Sequence, residues 1–255
     1  MASPIRTRRH PSKLSRTSIA ANLIVFLCSA LWVEAEWQDG LLFHASFDQG
    51  VTADFAKGKP EPATNGNPRL AEGVRGKVLL VGDSSVTGLA YENDANFSIT
   101  QGTVAFWLQP IDWLGNRGKA KFFNLFMQGA GSGAGYFGLE MERFNQPEPV
   151  LIFYSLNFSN RRNMHIPCAG SGHWLNHAWH HVALTWNSRE GRLFVDGEFV
   201  GSDRLTEPFQ SSDLHSQTFT IGGSGEEHTA LDELRLWNRP LNASEIGELY
   251  RKEKR

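Results

Sequence analysis

Two short runs of alternating side chains, Arg192–Val195 and Glu198–Val200, are joined only by Asp196-Gly197. Asp-Gly between such runs is the strongest short hairpin signal, because the two-residue turn that matches strand twist needs positive φ at both positions. The same pattern recurs along the chain. Strands are expected at 41–47, 77–81, 103–109, 121–128, 135–142, 149–155, 179–186, 192–200, 217–222 and 229–237. The 25 glycines are spread between these runs, as many tight connections require. The segment from Phe55 to Arg75 holds three prolines and several glycines and reads as an irregular surface loop. There is no internal repeat.

One stretch near the C-terminus has helical spacing. Asn242 or Ser244 can cap it, Glu245 falls in its first turn, and Ile246, Leu249 and Tyr250 share one face ahead of a basic end. Many strands and one terminal helix make an all-β fold, a two-sheet antiparallel β-sandwich with a short C-terminal helix.

Residues 1–35 differ in kind. Arg6, Arg8, Arg9, Lys13 and Arg16 precede an uncharged apolar run from Ile19 to Val33, and Val33-Glu34-Ala35 offers small residues for cleavage after Ala35. That order is the grammar of a secretory signal peptide. The run has 15 residues, short of the about 20 that cross a bilayer. Residues 36–255 are therefore expected as one exported domain, extracellular or periplasmic, with no membrane span in the mature form. The leader takes five of 25 basic residues and one of 27 acidic ones, leaving 20 against 26 and a net charge of −6. A mildly acidic chain is a poor partner for nucleic acid or anionic membranes. Cleavage also removes Cys28, leaving Cys168 without an internal disulfide partner.

Five segments, in order, resemble the laminin G-like jelly-roll family of the concanavalin A-like superfamily. They are Phe47-Asp48-Gln49-Gly50, the strand Gly102 to Pro110, Trp179-His180-His181-Val182-Ala183, the hairpin Gly191 to Gly197, and Leu231-Asp232-Glu233-Leu234-Arg235-Leu236-Trp237 running on to Leu241. The likeness covers about residues 41–250. It implies a jelly roll, export, and a role in carbohydrate or protein binding, although fold alone assigns no function. It also implies a structural calcium near where first and last strands meet. Asp48 and Asp232 are the leading ligands and Asp54 a third, since Ca²⁺ takes hard oxygen donors; the alternative is that these acids cap turns.

Period-two geometry sorts the strand residues. Val104, Phe106 and Leu108 are expected in the core, as are Val182, Leu184 and Trp186, and Phe137, Leu139 and Met141. If those strands share a sheet, its outer face carries Trp107, Gln109, Tyr136, Glu140, Glu142, His181 and Thr185. Rings beside carboxylates and amides suit a sugar, whose C–H face packs on a ring while its hydroxyls need polar partners. The alternative is a covered face on which Trp107 merely packs.

Catalysis is not expected. One retaining glycosidase family on such sandwiches carries three acids along one strand, but Phe144 stands where a third would follow Glu140 and Glu142. No nucleophile elbow or phosphate-binding loop is present. His173, His177, His180 and His181 are close in sequence but do not read as a zinc set, because neighbours on a strand point to opposite faces. Asn96, Asn157 and Asn242 open acceptor triplets for N-glycosylation and carry no functional weight on that ground. The leading expectation is a non-catalytic module for carbohydrate or a surface glycoconjugate, the second a protein-binding module on the same fold, and the third a glycan-cleaving enzyme with a degenerate site.

Overall fold

The computed structural model describes residues 38–63, 68–73, 76–82, 89–113, 119–127, 135–142, 150–156, 164–168, 174–205, 208–214, 217–222 and 228–254. In 119–127, 135–142, 150–156 and, save for Ile166, 164–168, it describes the backbone alone. The leader and its cleavage site lie outside these residues, as do Asn157 and His173.

The strands are β1 (Leu41–Ala45), β2 (Phe55–Ala56), β3 (Arg69–Glu72), β4 (Lys77–Val81), β5 (Leu89–Glu92), β6 (Gly102–Pro110), β7 (Lys119–Met127), β8 (Gly135–Glu142), β9 (Val150–Leu156), β10 (Met164–Cys168), β11 (His180–Trp186), β12 (Glu190–Val195), β13 (Glu198–Arg204), β14 (Thr218–Ile221) and β15 (Thr229–Trp237), followed by a helix, α1 (Ala243–Glu253). All pairings are antiparallel. One sheet runs β13-β12-β11-β6-β15-β1-β2, with β4 also on β15 and β3 on β4; the second runs β10-β9-β8-β7-β14-β5. The fold is the expected two-sheet β-sandwich with one short C-terminal helix. No helix among the described residues is long and apolar enough to cross a membrane.

The segment from Phe55 to Arg75 is less irregular than expected. It holds β2 and β3, which pair with β1 and β4. Such short ladders are held by their neighbours rather than by local propensity, so prolines and glycines around them hide them from pattern reading.

The inter-sheet core follows the alternation. Val104, Phe106, Leu108, Val182, Leu184 and Trp186 all lie in it. Phe43, Tyr91 and Phe219 close it with edge-on and stacked rings at 4.8 to 5.6 Å, a geometry that adds to their burial. Two buried polar atoms find backbone acceptors there: the Tyr91 hydroxyl donates to Val51 O and Trp186 Nε1 to Ile99 O.

Asp196 and Gly197 adopt φ values of 53° and 81°, the expected hairpin turn. The Asp196 side chain does more than turn the chain. Its carboxylate pairs with His180 Nδ1 at 2.8 Å and accepts from His181 N at 2.9 Å, tying the hairpin to β11. Its own burial opposes ionisation, but the His180 bond and the His181 amide prevail and hold its pKa below the usual carboxylate value.

Helix α1 starts on a reciprocal capping box. Asn242 Oδ1 accepts from Ser244 N and Glu245 N, and the Glu245 carboxylate accepts from Asn242 N at 2.8 Å. Arg239 clamps Glu245 with two bonds of 2.7 and 3.1 Å. Ile246 and Leu249 are buried yet lie outside the inter-sheet core. The helix covers the outer face of the larger sheet, making a second, smaller apolar layer.

Candidate functional site

That second layer takes in part of the expected ligand face. Trp107 and His181 are direct partners across β6 and β11, as are Thr103 and Thr185. Their side chains point away from the core, as alternation requires, but α1 lies over Trp107 and His181, and the segment before it bonds Thr103 through Arg239 O and Leu241 N. Trp107 keeps 2% of its surface exposed, His181 1% and Thr185 3%. The Trp107 ring stacks on Tyr250 at 5.7 Å and meets His181 edge-on at 5.4 Å, and its Nε1 donates to Glu253 at 3.1 Å. A sugar cannot reach these groups with the helix in place. Gln109 sits at the margin, half-buried, donating from Nε2 to His177 O.

The electrostatics beneath α1 are those of a sealed layer. Burial, and next the Arg235 guanidinium, lower the His181 pKa from 6.5 to about 3 against the pull of Asp196. The ring is neutral at physiological pH, and neither nitrogen has a hydrogen-bond partner among the described residues. Burial raises the pKa of Glu253, opposed by Arg235 and by the Trp107 bond. Arg235 pairs with Glu253 and with Glu233, and Glu233 binds His44 Nε2 at 2.8 Å. These charges are satisfied by one another rather than presented to a ligand.

The other three expected residues lie on the other sheet, so the seven do not form one site. Tyr136, Glu140 and Glu142 belong to β8, whose partners are β7 and β9. Cross-strand register puts Leu89, Ile221, Phe123, Leu139, Phe153 and Ile166 in one row. Leu89, Ile221 and Ile166 belong to the core, which fixes the parity of the sheet. Tyr136, Gly138, Glu140 and Glu142 therefore fall on the face turned away from it. Register adds Lys121 opposite Glu140, Lys119 opposite Glu142, and Asn124 and Tyr154 opposite Gly138, with His165 opposite Tyr154. The alternation of 149–155 carries a signal that would find Tyr154. His165 has none, because β10 has no strand pattern of its own in the sequence.

His180 and His181 do turn to opposite sides of β11: the His180 ring packs on Trp174 at 4.6 Å, the His181 ring on Trp107. The three acids expected to share calcium do not make a set. Asp54 Oδ2 accepts from Ser46 N at 2.7 Å, and Asp48 Oδ1 from Lys77 N at 3.1 Å. Asp232 is fully buried within β15, paired with Trp107, and its Oδ1 accepts from Glu233 N. Among the described residues no three acids, histidines or cysteines converge as metal ligands. Each of the three carboxylates accepts from a backbone amide through one oxygen.

The family model of the concanavalin A-like lectin/glucanases superfamily matches residues 83–247. No curated protein matches the sequence. Domain 4 of AbnA, a GH43 extracellular arabinanase from Geobacillus stearothermophilus solved with arabinotriose, is similar at a TM-score of 0.59 and 17% identity, covering 82% of this chain and 98% of that one. A botulinum neurotoxin type C structure, described as showing that cell entry depends on interaction with two ganglioside molecules, gives a TM-score of 0.63 and 12% identity, over 86% of this chain and 52% of that one. The binding domain of Paraclostridial Mosquitocidal Protein 1 gives 0.55 and 16%, over 85% and 53%. The chain thus spans about half the length of the toxin chains it resembles, and at these identities the likeness is one of fold. The family match covers more than half of the 255 residues and takes in strands of both sheets: the chain belongs to the concanavalin A-like lectin/glucanase superfamily.

Proposed function

We propose that the chain is an exported, non-catalytic module that binds carbohydrate or a surface glycoconjugate through the outward face of the six-stranded sheet. The observation that carries this is the register of β7 to β10. It groups Tyr136 and Tyr154 with Asn124, Glu140, His165 and two lysines on the face turned away from the core, on the sheet opposite the one that α1 packs against. Gly138 sits between Tyr136 and Glu140 in that row, a position without a side chain where a ring can approach the sheet. Solved relatives of this fold include a domain in complex with arabinotriose and a toxin described with gangliosides, which agrees with a glycan ligand. Each glutamate of the Glu140/Glu142 pair stands opposite a lysine, an arrangement for a neutralised binding surface rather than an acid and nucleophile.

A glycan array probed with the full chain tests this. Saturable signal that falls at least tenfold in Tyr136→Ala and Tyr154→Ala supports the face; signal indifferent to both moves binding elsewhere. The protein-binding reading has its own observation: edge strand β13 carries Phe199 and Val200 with 55% and 38% of their surface exposed. An empty array together with concentration-dependent self-association abolished by Phe199→Lys would favour that reading instead.

A further inference from the structure

The end of the sandwich carries a groove that neither sheet face accounts for. It lies between the loop from β5 to β6 and the turn before β14, has a volume of about 340 Å³, and is lined by Asp94, Ser98, Thr100, Ser211, Phe97 and Leu214 among others. That volume is at the lower end of small-molecule sites, about 300–1,000 Å³. It suits a short saccharide rather than a macromolecule.

The loop is held in shape before any ligand arrives. Asn96 is fully buried; its Oδ1 accepts from Gly58 N at 2.8 Å, and its Nδ2 donates to Lys59 O and Glu92 O at 2.9 and 3.0 Å. The carbonyl of Asn93 accepts from both Asn96 N and Phe97 N, while Asn93 N donates to Gln217 O. Gly58 lets the supporting strap come close, since a Cβ there would lie 2.1 Å from Asp94 O. Phe97 stacks on Trp186 at 5.7 Å. At the tip Ala95 takes φ 58°, an uncommon left-handed conformation for a residue with a Cβ, of a kind that gathers at binding loops. A rim fixed in advance loses little entropy on binding.

The lining also selects a ligand class. It combines the hydroxyl residues Ser98, Thr100 and Ser211 with Asp94 and with the apolar Phe97 and Leu214, and the Ser98 and Thr100 hydroxyls lie 3.3 Å apart, bonded to each other. A carboxylate accepts from adjacent sugar hydroxyls, while Ser and Thr both donate and accept. The Asp94 carboxylate in the lining would repel an anionic sugar and accept from the hydroxyls of a neutral one.

We infer that this groove is a second saccharide site, selective for neutral over acidic sugars and independent of the six-stranded face. It rests on the carbohydrate-binding reading but differs from it in place and ligand class. The test is ¹H–¹⁵N titration of the full chain with arabinotriose, maltotriose and sialyllactose, in wild type, Ser211→Trp, Asp94→Ala and Tyr136→Ala. The first variant fills the groove from an exposed position; the second removes the acceptor without adding bulk. Expected are saturable shifts at Asp94, Ala95, Ser98 and Thr100 with a neutral trisaccharide. These should weaken at least tenfold in both groove variants and persist in Tyr136→Ala. Neutral-sugar shifts confined to β8 and β9, unmoved by Ser211→Trp, overturn the groove and leave the sheet face standing. Sialyllactose shifting the groove amides as strongly overturns the selectivity. Silence at the groove with all three sugars overturns the site itself, and the array decides the face separately.

Discussion

The indole Nε1 of Trp107, in the middle of β6, donates to the carboxylate of Glu253, in the last turn of α1, at 3.1 Å. With the Tyr250 stack it fastens helix to sheet. Trp107→Ala should therefore cost stability rather than affinity, about 3–5 kcal/mol for a buried tryptophan, read as a shift in denaturant midpoint at constant slope. Glycan binding by the folded fraction should be unchanged. A loss of binding without loss of stability would mean that the indole meets ligand directly.

His181 gives the fold a pH dependence of definite sign. Its pKa falls from 6.5 in the unfolded chain to about 3 in the folded protein, so between those values the unfolded chain takes up a proton that the folded chain does not. Stability should fall as pH drops below 6.5 and level off near 3, at up to about 1.4 kcal/mol per pH unit. Thermal melts between pH 6.5 and about pH 5 lie above the usual carboxylate range and cover the upper part of this loss. His181→Leu should flatten the slope there, and an unchanged slope would assign it to another histidine.

Asp196 joins a turn to a strand through two acceptor atoms. Asp196→Ala should cost about 2–4 kcal/mol, since it removes two bonds to a charged acceptor and puts alanine at positive φ. Asp196→Asn tolerates that φ and keeps one acceptor, so its cost should be about half. Equal losses would mean that the carboxylate charge, which both variants remove, outweighs the turn conformation. Chemical denaturation of both variants decides.

Asp54 accepts from Ser46 N. Asp54→Ala should lower stability by about 1–3 kcal/mol, by the same amount in EDTA and in millimolar calcium. A loss seen only in calcium would restore the acid as a metal ligand.

Protein recovered from an exporting host should begin at Glu36, because a basic, then apolar, then small-residue order precedes it. Intact-mass measurement reads this directly. A full-length mass in the membrane fraction would make the leader an anchor.

Much of the sandwich is legible in the sequence because alternation is local. Lys77–Val81, Gly135–Glu142 and Thr229–Trp237 have the bounds that their side-chain pattern suggests, and the Asp196-Gly197 turn declares itself in two residues. Parity is legible too, since Trp107 and His181 do point away from the core. Which sheet a strand joins, and what covers it, is not. Glu140 and Trp107 look equivalent along their own strands, yet they belong to different sheets, and Trp107 lies beneath a helix because the apolar side of Ile246 and Leu249 required a cover. The groove is invisible for a related reason. Asn96 and Gly58 look like ordinary loop residues until a separation of 38 positions closes into a hydrogen bond.

The seat of β15 also sets an order of events in time. It has β6 along one side and both β1 and β4 along the other, so the strand that follows all the other described ones in sequence is the seam of the larger sheet. While a ribosome is still short of Trp237, β1 and β4 have no route into the ladder that β6, β11, β12 and β13 can build. Closing so distant a pairing is slow, roughly milliseconds to seconds for all-β domains. Until β15 is made the larger sheet stays in separate parts, and it becomes one ladder only when β15 enters between them.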